Sequence, residues 1–143
     1  MEHSFLIKVR AIIIHEGKLF AVKHKKADTF FALPGGHMEH GEQPRECLER
    51  EILEEMNIKP QVGRMLYTNI FEQRGQHCLE FFFEILNSED YAGIDKPSGS
   101  HADEIVEVRW LDKNSDAGLM PKMFWEDFKN DKVFSGDIKY VKS

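Results

Sequence analysis

Apolar and polar residues repeat along this chain with two different periods. FLIKVRAIII (5–14) and KLFAVKHK (18–25) are dense in β-branched and aromatic residues. With only HEG (15–17) between them, they predict two strands joined by a tight turn. FFAL (30–33) predicts a third short strand, stopped by Pro34-Gly35-Gly36. The period then changes. Leu48, Ile52 and Met56 recur every four residues, and Pro44 suits a first helical turn, where its missing N–H costs nothing. Asn57, which tolerates the left-handed conformation, and then Pro60 end the run. Strand-like segments return at GRMLYTNIFE (63–72) and HCLEFFFEIL (77–86) around the polar QRGQ. A long polar loop over about 87–103 follows, then a strand EIVEVRWL (104–111), a helix near 119–130 in MPKMFWEDFKND, and a last short strand, IKYV. No repeat or linker divides this order, which predicts one mixed α/β domain over 1–143.

Composition narrows the class without naming a function. The chain has 143 residues, 41% hydrophobic and 31% charged, as expected of one soluble core. A net charge of −6 excludes the basic footprint of a protein that grips polymeric DNA or RNA. A small phosphorylated substrate remains compatible, provided a cation is recruited to meet it. Cys47 and Cys78 have no metal-type spacing and read as reduced thiols. The amino terminus lacks the basic region and cleavage site of a leader, and no apolar run is long enough to cross a bilayer. The expectation is a cytoplasmic protein.

The charge on the central helix changes the picture. Between Glu42 and Glu55 stand six glutamates and only two arginines, Arg45 and Arg50. Glu51, Glu54 and Glu55, spaced i, i+3 and i+4, cluster on one side beside the apolar stripe. Like charges at this spacing destabilise a helix by a few tenths of a kcal/mol per pair, on the order of 0.2–0.5. No lysine between Lys26 and Lys59 relieves the strain. Three convergent carboxylates beside a core face suit a hard cation such as Mg²⁺ or Mn²⁺. Gly35 and Gly36, lacking side chains, let a ligand or metal approach the backbone. Glu42 can reach back from the loop, and Arg50 can bridge acids across a turn and fix their rotamers.

These residues resemble the signature of the Nudix (MutT-type) hydrolases. The match runs from Gly36 through Glu42, Arg50, Glu51, Ile52, Glu54 and Glu55 to Ile58, with Leu33-Pro34-Gly35 as the lead-in and Asn57 where glycine is expected. The resemblance implies an α/β/α sandwich with a mixed sheet, one long catalytic helix and one late helix. It also implies Mg²⁺-dependent cleavage of the pyrophosphate in a nucleoside diphosphate derivative, either a (d)NTP or an ADP-ribose-like or dinucleotide compound. Glu51, Glu54 and Glu55, with the Gly35 carbonyl, would be metal ligands. Arg50 would orient them, while Gly36 and Glu42 would support the loop or bind metal through water. Glu54 is the first expectation for the general base and Glu104 the second. The alternative from another class is a non-catalytic nucleotide sensor on the same fold. A homodimer stays open, because family members are often dimers.

Other residues have plainer readings. Glu46 and Glu49 fall outside the motif and read as solvated charge. His37, His40 and His101 read as polar loop residues. Arg10 and Lys25 are candidate phosphate contacts, Phe31 a candidate stacking surface, and Glu80 a candidate cleft residue. The 87–103 loop is where substrate specificity is expected.

Overall fold

The computed structural model describes residues 5–143; the first four residues of the segment read above for a leader lie outside it. The first apolar run forms two strands, β1 (Phe5–Ile12) and β2 (Ile14–His15), separated at Ile13. That break lets one run serve two sheets. The first sheet has the order β10-β6-β7-β1-β5, built with β5 (Gly35–His37), β6 (Val62–Gln73), β7 (Gln76–Ile85) and β10 (Lys139–Lys142). It is mixed: β1 runs parallel to β7, and β6 antiparallel to β7. The second sheet joins β2, β3 (Lys18–His24), β4 (Ala27–Ala32) and β9 (Leu119–Met120), with β8 (Ile105–Leu111) also paired to β3.

Helix α1 (Pro44–Met56) packs on one side and α2 (Lys122–Lys129) on the other, giving an α/β/α arrangement. Leu48, Ile52 and Met56 are fully buried, as their spacing predicts, among Val9, Ala11, Phe20 and Phe83. Each such apolar side chain contributes roughly 1.5–3 kcal/mol by leaving water. Asn57 closes the helix in the left-handed conformation, φ 61°, and its N–H donates to the Leu53 carbonyl at 2.9 Å. Opposite, α2 buries Phe124 and Phe128 against Tyr67 and Phe82.

Three expectations change. The sheet is two sheets rather than one. Gly35 and Gly36 do not merely stop a strand: they form one, pairing with Arg10 and Val9. A Cβ at Gly35 would fall 1.9 Å from the Val9 carbonyl oxygen, at a backbone φ of +148°, so only glycine fits that approach. The late helix begins at Lys122, because Leu119 and Met120 instead pair with Phe31 and Ala32 and Pro121 occupies the N-cap. No helix among the described residues is long and apolar enough to cross a membrane.

Candidate active site

Helix α1 packs against β1 and β5 of the first sheet, and its Glu51 and Glu55 line a cleft of about 920 Å³. Carboxylate oxygens of Glu51, Glu55 and Glu104 lie within 4.8 Å of one another. Glu55 is 1% exposed, and its Oε1 is, among the described residues, the one buried side-chain polar atom with no hydrogen-bond partner. Burial drives its carboxyl well above the usual carboxylate range, and the neighbouring Glu51 adds to the effect. Glu51 is raised too, again chiefly by burial, although Arg50 opposes it. Its carboxylate occupies the space a side chain at Gly36 would need, since a Cβ there would sit 2.4 Å from Glu51 Oε2.

Arg50 is the hub of the surrounding contacts. Its Nε donates to Glu42 Oε2 at 2.8 Å and its Nη2 to Glu42 Oε1 at 3.0 Å. Its Nη1 donates to Glu51 Oε1 at 3.1 Å and to Glu54 Oε2 at 3.2 Å, and Nη2 also reaches the His37 carbonyl at 3.2 Å. The Arg50 hydrogen bonds hold the Glu42 carboxyl down at about 2. Glu54 stands outside the close trio. Besides Arg50, its Oε2 faces His101 Nδ1 at 3.5 Å. The helix therefore divides its three acids: two point into the cluster with Glu104, and one joins Arg50 and His101. Glu46, read as solvated charge, accepts from the Gln43 N–H at 3.2 Å at the helix start. Glu49 lies 3.9 Å from the exposed Lys59.

Across the cleft, Arg10 is 8% exposed and Glu80 is 6% exposed. Arg10 Nε donates to Glu80 Oε2 at 2.8 Å, and Asn69 Nδ2 donates to Glu80 Oε1 at 3.1 Å. Both Glu80 oxygens are thus engaged, so its contribution in the cleft is to hold Arg10. Arg10 Nη1 lies 3.3 Å from His24 Nε2. An arginine can only donate, so that nitrogen accepts and the ring is neutral. Burial, reinforced by Arg10, presses the His24 pKa down to about 3. Lys25 lines the cleft. Phe31 does not: it is 3% exposed in the core, beneath Lys23 and Arg109, and its neighbour Phe30 is the ring that reaches the cleft wall. Strand alternation explains the exchange, because successive side chains leave opposite faces.

The long polar loop is less free than its composition suggests. It contains two short 3₁₀ turns, Ser88–Tyr91 and Ala102–Glu104. Between them the chain is bonded to the end of α1, and the second turn delivers Glu104. Sequence reading passed over Lys8, Asn69 and Gly99. Lys8 and Asn69 could have been found from strand alternation: Lys8 with Arg10, and Asn69 with Tyr67 and Phe71, fall on one face of their strands. Nothing in Ser98-Gly99-Ser100 distinguishes it from an ordinary loop.

Comparison with known proteins places the fold and the family. The family model for the NUDIX domain matches residues 5–128. The chain is 29% identical over 130 residues to the ADP-ribose pyrophosphatase of Methanocaldococcus jannaschii, covering 86% of this chain and 69% of that one. Among solved structures it resembles a NUDIX hydrolase from Nitrosomonas europaea, with TM-score 0.72 and 18% identity over 100% of this chain and 81% of that one. It also resembles a MutT NUDIX hydrolase from Burkholderia pseudomallei, with TM-score 0.71 and 17% identity over 93% of this chain and 100% of that one.

Proposed function

The chain belongs to the NUDIX domain family and is a pyrophosphohydrolase, and from that premise we propose the reaction of its cleft: Mg²⁺-dependent hydrolysis, with Mn²⁺ as a substitute, of an ADP-ribose-like nucleoside diphosphate derivative. A (d)NTP is the second substrate class. The observation that carries the reading is the unpartnered Oε1 of Glu55, buried beside Glu51 and Glu104. Leaving a buried acceptor unbonded costs on the order of 1–3 kcal/mol, and more for a charged group. A hard divalent cation held by three oxygen donors would remove that cost, and the donor set fits one. The cleft, at about 920 Å³, is near the upper end of ligand-site volumes, roughly 300–1,000 Å³. That size supports a substrate with a moiety on each side of its pyrophosphate. The Methanocaldococcus relative supports ADP-ribose as the first candidate.

In this reading Glu51, Glu55 and Glu104 hold the cation, with the Gly35 carbonyl as a further donor. Bound there, it would neutralise pyrophosphate charge and polarise the phosphorus–oxygen bonds. Gly36 leaves room for Glu51. Arg50 and Glu42 keep the acidic side chains in one geometry. Arg10, held by Glu80, and Lys25 meet phosphate oxygens away from the cluster. Glu54, fixed between Arg50 and His101, accepts the proton of the attacking water; Glu104 is the alternative base. The water oxygen bonds to one phosphorus, the bridging phosphorus–oxygen bond breaks, and two phosphomonoesters leave.

The test is product analysis, with Mg²⁺ and separately with Mn²⁺, on a panel of ADP-ribose, dNTPs, NAD(H), diadenosine polyphosphates and nucleotide sugars. Conversion of ADP-ribose to AMP and ribose phosphate, abolished by EDTA, is the expected result. Turnover confined to dNTPs would replace the substrate assignment, and no turnover with either metal would overturn the reading.

A further inference from the structure

The end of α1 is bonded to a segment far along the chain. Ser98 N and Gly99 N both donate to the Glu55 carbonyl, at 3.1 and 3.0 Å, and His101 N donates to the Glu54 carbonyl at 2.7 Å. Ser98 Oγ adds a bond to the Met56 carbonyl at 3.1 Å. The last carbonyls of a helix have no partner within it, and here this segment supplies them. The approach is too close for a side chain. A Cβ at Gly99 would stand 2.0 Å from the Glu54 carbonyl oxygen and 2.7 Å from that of Leu53, and both are backbone atoms that cannot swing aside.

The same residue starts the next element. Ala102 N donates to the Gly99 carbonyl at 3.2 Å, and Glu104 N to that of His101 at 3.1 Å, which forms the turn carrying Glu104. The far end is fixed when Lys25 N donates to the Glu104 carbonyl at 2.8 Å. Glu55 therefore has two attachments to one assembly. Its side chain joins the carboxylate trio, and its main-chain carbonyl anchors the segment that brings in the third member.

We propose that Gly99 is a positioning residue for the metal centre: by allowing residues 98–101 to lie against the last turn of α1, it sets Glu104 at coordinating distance from Glu51 and Glu55. This rests on the reading of that trio as a divalent-cation site. A side chain at position 99 lifts the segment from the helix and withdraws Glu104, leaving the two helix-borne acids in place. Residues that orient metal ligands typically change metal affinity by about 10–100-fold when altered.

The experiment measures Mn²⁺ affinity by calorimetry for the parent, Gly99→Ala, Glu104→Gln and the double variant, with thermal unfolding of each metal-free protein alongside. The expected result is that Gly99→Ala weakens Mn²⁺ by about tenfold or more, that Glu104→Gln does the same, and that the double variant is no weaker than the worse single one. Such non-additivity is the mark of two residues acting through one another. Additive losses, or an affinity unchanged by Gly99→Ala while Glu104→Gln weakens it, would overturn the proposal and leave the cation site standing. A parent protein that binds no Mn²⁺ would instead overturn the underlying reading. If Gly99→Ala fails to fold, Ser98→Ala removes one bond of the same attachment and takes its place in the cycle. A smaller loss that vanishes in the Glu104→Gln background supports the proposal, and one that persists there overturns it.

Discussion

Arg50 and Glu42 meet through two parallel bonds, Nε to Oε2 at 2.8 Å and Nη2 to Oε1 at 3.0 Å, while the remaining guanidinium nitrogen reaches Glu51 and Glu54. One planar group thereby fixes the loop before the helix and two acids on it. Lysine keeps the charge but has no fork with which to make these bonds together. Arg50→Lys should retain the helical circular-dichroism spectrum and lower kcat about 10- to 100-fold, as expected when ligand-orienting contacts are lost. Steady-state kinetics with a turned-over substrate checks this, and a kcat within twofold of the parent would remove Arg50 from the orienting role.

The buried acid gives a prediction of opposite signs. Glu55→Gln removes a charge that burial disfavours and leaves a neutral group of the same size. The metal-free variant should therefore melt above the parent at neutral pH, because the amide removes the charge that burial disfavours, although it still leaves one buried polar atom unbonded. The parent should gain about 2.7 kcal/mol when Mg²⁺ is raised to a hundred times its dissociation constant, and the variant should gain almost nothing. Differential scanning calorimetry with and without EDTA reads both effects. A less stable metal-free variant would show that Glu55 is satisfied without a cation.

How much of this was legible beforehand depends on the range of the signal. The helix, its buried stripe and its acids were legible because α-helical order is local: Leu48, Ile52 and Met56 declare a face within three turns. The left-handed end at Asn57 is equally local. The division of the acids was not legible, because Glu54 and Glu55 differ by one residue on the helix yet face different neighbours, Arg50 and His101 for one and the cluster for the other. The role of Gly35 in a strand depends on the carbonyl of Val9, and that of Gly99 on the carbonyl of Glu54. Phe30 and Phe31 could be separated only once the strand's facing was fixed.

His24 predicts how acid acts on the fold. Its folded-state pKa is about 3, pressed down by burial and then by Arg10, against an ordinary value of 6.5. The unfolded chain takes up this proton as pH falls below 6.5, whereas the folded chain refuses it until about 3, so His24 costs stability progressively through that window. Glu42 acts in a lower window. Its carboxyl is held to about 2 against an ordinary 4.5, so its contribution is complete above 4.5 and is lost as pH falls toward 2. Between pH 6.5 and 4.5 His24 acts without Glu42. Glu55, raised by burial, opposes it there, so the difference between parent and His24→Asn isolates the histidine. That difference, from urea midpoints, should move in favour of the variant as pH falls from 6.5 to 4.5. A pH-independent difference would mean that folding does not disfavour the proton on His24.

The base can be separated from the ligands by comparing two isosteric changes. Glu104 shares the trio with Glu51 and Glu55, whereas Glu54 is held by Arg50 and His101 outside it. If Glu54 takes the proton from the attacking water, Glu54→Gln should lower kcat by about 10²–10⁴-fold. KM and Mn²⁺ affinity should change little, since the amide keeps its size and the trio is intact. Glu104→Gln, by contrast, should weaken Mn²⁺ binding and raise the metal concentration needed for half-maximal rate, with part of the activity restored by excess metal. Calorimetric Mn²⁺ titration and rate-versus-metal curves distinguish the two patterns. Reversal of the patterns would exchange the roles, making Glu104 the base and Glu54 a ligand drawn into the cluster when the cation binds. A parent-like rate for Glu54→Gln would exclude Glu54 from both.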